Sequence, residues 1–225
     1  MKRTLVGEVM TTPVVTAGET MPFRHLVALL YASGIGAVPV IDPERRVLGV
    51  VSNADLIAKA GGLPAAGPRL QFPRRRRERL KAMARTAGEL MTAPAVTVPP
   101  AATIGQAARL MRRHRIGRLP VRDPLTGRLA GIVTRSDLLR VYLRPCGEIR
   151  AEIEAAALSR VPGADPRRLA VAVSDGVVTV SGRVERRSAA LSMVTAARQA
   201  EGVIQVDDHL SYDIDDRYPA MPASF

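Results

Sequence analysis

Apolar residues fall at Phe23, Leu26, Val27 and Leu30, and again at Ile104, Ala107, Ala108 and Met111. The spacing i, i+3, i+4, i+7 predicts one buried face on each of two helices. Thr103 is a good N-cap for the second helix, and Gly34 can end the first. Each helix is followed by apolar strands. The first pair covers residues 37–41 and 47–51 around a turn at Asp42-Pro43, and Asp123-Pro124 marks the equivalent turn later. A short extended piece ends near Thr16 and near Thr97. A last helix starts at Ser52 and at Thr134. The predicted order is β-α-β-β-α, twice.

The sequence itself repeats. Gly7-Glu8-Val9-Met10-Thr11-Thr12-Pro13 recurs as Gly88-Glu89-Leu90-Met91-Thr92-Ala93-Pro94, and Ile35-Gly36-Ala37-Val38-Pro39-Val40 recurs as Ile116-Gly117-Arg118-Leu119-Pro120-Val121. Gly49-Val50-Val51-Ser52-Asn53-Ala54-Asp55 matches Gly131-Ile132-Val133-Thr134-Arg135-Ser136-Asp137. Three ordered blocks point to a unit duplicated in tandem.

From about Cys146 the pattern changes. Ile149, Ile153 and Ala156 share one helical face. Residues 160–166 break that helix. Apolar strands at 169–173 and 177–180 flank Asp175-Gly176, a strong hairpin signal. Residues 188–200 read as an Ala-rich helix that offers Leu191, Met193, Val194 and Ala197 for burial and stops at Gly202. Residues 203–210 form a closing strand. The tail after Tyr212 carries Asp213, Asp215 and Asp216 and is expected to fray.

Composition narrows the chemistry. The 225 residues are 47% hydrophobic but only 3% aromatic, without Trp, so the cores are packed with Ala, Val, Leu and Ile. A nucleic-acid surface built on base stacking is not expected. The formal charge of +12 concentrates in residues 61–85 and in the second repeat, beside a nearly neutral first repeat and an acidic C-terminal part. Of the basic residues, all but Lys2, Lys59 and Lys81 are Arg. The run Arg74-Arg75-Arg76-Arg77 reads as a solvated linker. A nucleic-acid or lipid-headgroup contact is the alternative, and neither a recognition helix nor an aromatic platform accompanies it.

Cys146 is the one cysteine, so no intrachain disulfide or Cys-based metal site is expected, and the three His are scattered. Polar residues interrupt any apolar signal segment after Met1-Lys2-Arg3. The longest uncharged stretch, 25–41, is too short and broken to span a bilayer. These features predict a cytoplasmic protein. No nucleophile triad, P-loop or paired-acid pocket is evident, so the chain is expected not to be an enzyme.

Ser52-Asn53-Ala54-Asp55 and Thr134-Arg135-Ser136-Asp137 carry the remaining chemistry. One reading is a helix-capping box. The other uses the same geometry for a ligand, with free N–H groups facing phosphate and a carboxylate one turn in binding ribose hydroxyls. The second repeat has Arg118 where the first has Ala37, Arg135 for Asn53, and His114-Arg115 for Ser33-Gly34. The cleft centred on Thr134 and Asp137 is therefore expected to be the better phosphate site.

The Val-Met-Thr-x-x-Pro opening, the Ile-Gly-x-x-Pro-Val strand entry and the Gly-x-x-[Ser/Thr]-x-x-Asp turn together resemble the CBS domain. Two tandem copies look like a Bateman module. The resemblance implies an α/β (α+β) fold with two β-α-β-β-α repeats about a pseudo-two-fold axis, and homodimers built through these modules. It also implies two clefts for an adenosine ligand such as AMP, ADP, ATP or S-adenosylmethionine. The candidate ligand-binding residues are Thr134, Asp137, Arg135, Arg118, Ile116, Pro120 and Thr97. Ser52, Asp55, Ile35, Pro39 and Thr16 complete that set. Asp175-Gly176-Val177-Val178-Thr179-Val180-Ser181-Gly182-Arg183-Val184, the following helix and Val203-Ile204-Gln205-Val206 resemble a BON domain of αββαβ order. Members of that family occur in bacterial osmotic-stress proteins and are thought to bind phospholipid or mediate association.

The expected organisation is CBS repeat 1 at 6–60, a basic linker at 61–85, CBS repeat 2 at 86–144, a BON domain at 147–213 and a flexible tail at 214–225. The expected function is a regulatory nucleotide sensor that relays to the BON domain or a partner, with the nucleotide as regulatory ligand, no other cofactor and no metal. The alternatives are a structural or phospholipid-associating adaptor with empty clefts, and a stress protein with degenerate sites.

Overall fold

A computed structural model of the protein describes residues 3–61, 80–160 and 169–216. The Arg74–Arg77 run, the expected break after Arg160 and the tail from residue 217 lie outside the described residues. The chain divides into two units. One is Leu5–Leu138, and the other joins Met1–Thr4 to Leu139–Phe225.

In the first unit, the first repeat comprises α1 (Val6–Val9), β1 (Ala17–Gly18), α2 (Phe23–Ala32), β2 (Ala37–Ile41), β3 (Val47–Ser52) and α3 (Asn53–Ala60). The second comprises α4 (Ala87–Leu90), α5 (Ile104–His114), β4 (Arg118–Arg122), β5 (Leu129–Thr134) and α6 (Arg135–Leu139). The β-α-β-β-α order holds in the first repeat, the opening strand of the second is reduced to a bridge, and a short helix is added at the front of each. β1 pairs parallel with β2 through Ala17 and Val40, and β2 pairs antiparallel with β3. β4 and β5 repeat the antiparallel pair, and Val98 bridges Val121 where Ala17 meets Val40.

Thr103 caps α5 as expected. Its N–H donates to Gln106 Oε1 at 2.8 Å, and its Oγ1 accepts the Gln106 N–H at 3.3 Å. α2 closes through Gly34 at φ 62°, whereas α5 closes through Arg115 at φ 54°, a left-handed conformation that a side chain adopts at a cost. The buried stripes are rotated from those the spacing predicts. Leu26 and Leu30 are buried but Val27 is 40% exposed, and Ala107 and Met111 are buried while Ala108 is exposed. Leu29 and Leu110, partly buried, pack against the two cores instead of Val27 and Ala108.

The repeats exchange their opening segments. The Val6 N–H donates to the Ala102 carbonyl at 2.8 Å, and the Ala87 N–H donates to the Met21 carbonyl at 2.9 Å. Thr11 exchanges backbone hydrogen bonds with Ile132, and Thr92 does the same with Val50. Accordingly, Val6 is buried with Val98, Ala107, Met111, Leu119, Val121 and Val133 of the second repeat, with Val9 and Met10 packed alongside. Ala87 and Leu90 are buried with Leu26, Leu30, Val38, Val40 and Val51 of the first. Neither repeat closes its core alone, so hydrophobic burial joins the two into one body.

In the second unit, α7 (Cys146–Arg160), β6 (Leu169–Ser174), β7 (Val177–Arg186), α8 (Arg187–Gln199) and β8 (Gln205–Ile214) give the expected αββαβ order. β6 and β7 form a hairpin through Asp175 at φ 48° and Gly176 at φ 78°. Two positive φ values are what the Asp-Gly signal demands. β8 returns parallel to β7 after the α8 crossover. Ile149, Ile153 and Ala157 of α7 pack with Val171, Val178, Val180, Met193 and Ala197. The innermost face is therefore set by Ala157 rather than Ala156. Leu191, expected inside, is 48% exposed, and Ala190 and Ala196 are buried in α8 instead.

The acids after Tyr212 are engaged rather than frayed through residue 216. Arg183 Nε donates to Asp213 at 2.6 Å, Arg187 Nη1 to Asp215 at 2.7 Å, and the Ser188 N–H to Asp216 at 3.0 Å. Among the described residues, no helix is long and apolar enough to cross a membrane.

Candidate functional site

The strand-to-helix turn from β3 into α3 places Asp55 one turn inside the helix. Its side chain is buried. The Ser52 N–H and Oγ–H both donate to Asp55 Oδ2 at 2.7 Å. Asp55 Oδ1 accepts from Lys81 Nζ, which also donates to Thr92 Oγ1 at 2.9 Å. The second repeat builds the same turn. The Thr134 N–H and Oγ1 donate to Asp137 Oδ2 at 2.9 and 2.8 Å, and the Asp137 N–H returns to Thr134 Oγ1 at 3.3 Å. The capping geometry read from the sequence is thus present at both turns.

A cavity of about 320 Å³ opens beside the first turn. Gly36, Ala37, Val50, Ser52 and Asp55 of the first repeat line one side, and Thr92, Pro94, Ala95 and Val96 of the exchanged segment line another. Arg115, Ile116, Gly117 and Arg118 complete the wall. Carboxylate, hydroxyls, apolar surface and two guanidinium groups therefore border one space.

Arg118 is half-buried, and burial pushes its pKa below the ordinary arginine value. Its Nη1 donates to the Ala37 carbonyl at 3.4 Å, and among the described residues it has no acidic partner. A partly desolvated cation with one weak acceptor gains from an anionic oxygen. Arg115 is held at the same wall by its left-handed backbone at φ 54°.

The expected site residues separate in space. Ser52, Asp55, Ile116 and Arg118 meet at the cavity. Arg118 lines the cavity beside the Ser52–Asp55 turn and is also the ladder partner of Thr134, the residue with which the sequence groups it. Arg118 begins β4, a strand that stays in the second repeat, and its side chain borders the cavity of the first turn from there. Thr134 and Asp137 hold the second turn, and Arg135 Nη2 donates to the Ile116 carbonyl at 3.3 Å. Pro39 and Pro120 are buried in their strands, opposite Val50 and Ile132. Thr16, Thr97 and Ile35 are partly buried and do not line this cavity.

Thr92, Ala95, Val96 and Lys81 escaped the sequence reading. The first three lie in a duplicated block whose placement in the opposite repeat is a tertiary fact. Lys81 read as one more basic group in a basic linker. A wider groove of about 840 Å³ runs along α5, lined by Arg109, Arg112 and Arg113 with Val98, Pro99 and Leu110. It lacks the hydroxyl–carboxylate pair.

Comparison with known proteins bears on this geometry. The CBS domain pattern matches residues 6–62 and 87–144, and the BON domain pattern matches 147–213. A CBS domain-containing protein of Dictyostelium discoideum is 31% identical over 143 residues, which are 63% of this chain and 93% of that protein. An uncharacterized protein of Methanocaldococcus jannaschii is 30% identical over 141 residues, and the match spans 62% of this chain but only 32% of that relative. The crystal structure of CBSX2 in complex with AMP superposes with a TM-score of 0.55 at 29% identity, covering 62% of this chain and 96% of CBSX2. A CBS domain pair, that of protein MJ0100, shares the fold with a TM-score of 0.50 at 21% identity, covering 63% of this chain and 97% of that one. The chain belongs to the CBS domain family, with two CBS domains in tandem followed by a BON domain.

Proposed function

We propose that the protein is a regulatory sensor, without catalysis of its own, that binds an adenosine nucleotide in the cavity beside Ser52 and Asp55. Asp55 takes the ribose hydroxyls. Ala95, Val96 and Ile116 offer apolar surface to the base. Arg115 and Arg118 hold the phosphate. The half-buried Arg118 guanidinium at the cavity wall, without an acidic partner among the described residues, is the observation that carries this reading. The AMP complex of CBSX2 supports the same ligand class. The two arginines favour AMP, ADP or ATP over S-adenosylmethionine, whose sulfonium would face like charge.

Binding is relayed to the BON domain or a partner by stabilising one arrangement of the repeats, which requires the ligand to prefer that arrangement. The exposed apolar side chains of Tyr31 and Ile57 supply surface for pairing two copies through the CBS domains in the cytoplasm. The BON domain is acidic, with Asp207 and Asp208 near or at the surface of β8. That charge opposes anionic phospholipid and favours a protein partner.

A thermal-shift series tests the ligand class, because a ligand that binds only the folded state raises the apparent stability. AMP and ATP at millimolar concentration are expected to raise the Tm by several degrees and S-adenosylmethionine to raise it less. A shift from S-adenosylmethionine alone would overturn the phosphate assignment.

A further inference from the structure

Lys81 stands apart from the cation pattern of the chain. Nearly all of its basic residues are Arg, yet the residue on the Asp55 carboxylate is Lys. Its compact ammonium bridges one carboxylate and one hydroxyl. Lys81 lies among the residues that lead from the basic inter-repeat segment to the second repeat, and a second bond holds the same stretch: Lys59 Nζ donates to the Ala82 carbonyl at 3.2 Å. Lys59 in turn lies 5.1 Å over the Phe23 ring. Two of the three lysines thus fasten residues 81 and 82 to the first repeat.

The carboxylate has little capacity left. Oδ2 already accepts two hydrogen bonds from Ser52, and Oδ1 accepts one from Lys81. Each carboxylate oxygen takes about two donors. One hydroxyl can be added at Oδ1, but a ribose diol brings two. We propose that Lys81 is a built-in competitor for the ribose diol: a nucleotide that engages Asp55 with both hydroxyls displaces the Lys81 ammonium and so frees residues 80–83 from the first repeat. Nucleotide binding is thereby converted into release of the segment that leads into the second repeat. This rests on the nucleotide reading of the same cavity.

The test measures AMP and 2′,3′-dideoxy-AMP affinity by calorimetry on the full chain and on Lys81→Met, a substitution that keeps the aliphatic stem and removes the charge. Removal of the competitor should tighten AMP about five- to tenfold and leave dideoxy-AMP within about twofold, since only the diol competes. Hydrogen exchange at residues 80–83 should rise when AMP is added to the native chain. In the variant it should already be fast, and AMP should not raise it further. Equal AMP affinity in the two proteins overturns the competitor role and leaves the nucleotide reading standing. Weaker AMP binding in the variant also overturns it, by making Lys81 a ligand contact. If AMP, ADP and ATP bind neither protein, both the competitor role and the nucleotide reading fall.

Discussion

Met10 lies against Gly131 so closely that a Cβ on the glycine would stand 2.5 Å from the Met10 sulfur. The same relationship holds between Met91 and Gly49, again at 2.5 Å. Each methionine opens one repeat, and each glycine begins the strand-to-helix motif of the other. The duplicated Met and Gly are therefore a matched pair read across the pseudo-axis, and they hold each exchanged segment against its foreign sheet.

Gly131→Ala and Gly49→Ala should each destabilise the protein by about 1–3 kcal/mol, because the Met Cβ and Cγ as well as the sulfur must move. Chemical denaturation checks this. Met10→Ala combined with Gly131→Ala should recover part of the loss, and the pair should be non-additive. Additive losses would mean the contact is not the cause.

Removing a single cation at the cavity separates binding from folding. Arg118→Ala should weaken AMP binding about tenfold or more, the scale of a lost charge-assisted hydrogen bond. The Tm without ligand should hold or rise slightly, because the guanidinium is half-buried with one weak acceptor. Unchanged affinity by calorimetry would remove Arg118 from the site.

In the BON domain, Ile153 is fully buried on α7 at the centre of its cluster. Ile153→Ala should cost about 2–5 kcal/mol through lost burial and the cavity left behind. Far-UV circular dichroism during urea titration reads the change. A loss below 1 kcal/mol would show that this helix is not packed on the sheet as described.

The acids at the end of β8 bear on acid stability. The Ser188 hydroxyl, followed by its N–H, holds the Asp216 carboxyl below the ordinary aspartate value. The folded pKa lies below the unfolded one, so the contribution is present above about pH 4 and fades as pH falls through the folded value. Carboxyl titration by NMR should find Asp216 low in the native chain and returned upward in Ser188→Ala. An unchanged Asp216 titration in that variant would contradict the contact.

Much of this was legible in the chain. The strand at residues 37–41, the Thr103 cap, the Asp175-Gly176 hairpin and the helix starts at Ser52 and Thr134 all follow from local pattern and turn chemistry. The two CBS repeats follow from repeated motifs, and the BON domain from the Asp175–Val184 hairpin with the helix and strand after it. What stayed hidden is non-local. Periodicity marks Val27 and Ala108 as apolar but cannot tell that Leu29 and Leu110 face the cores in their place. That Arg118 and Asp55, from different repeats, line one cavity is a tertiary fact that no local pattern encodes. Lys81 carries a signal only when its residue type is set against the arginines around it.

The central claim is that the nucleotide sits between Ser52, Asp55, Arg115 and Arg118. Calorimetric titration of AMP into the native chain, Asp55→Ala and Asp137→Ala addresses it directly. Asp55→Ala should lose affinity by about tenfold or more, and Asp137→Ala should stay within about threefold of the native value. Loss of binding in Asp137→Ala with native affinity in Asp55→Ala would contradict the assignment and place the ligand at the Thr134 turn.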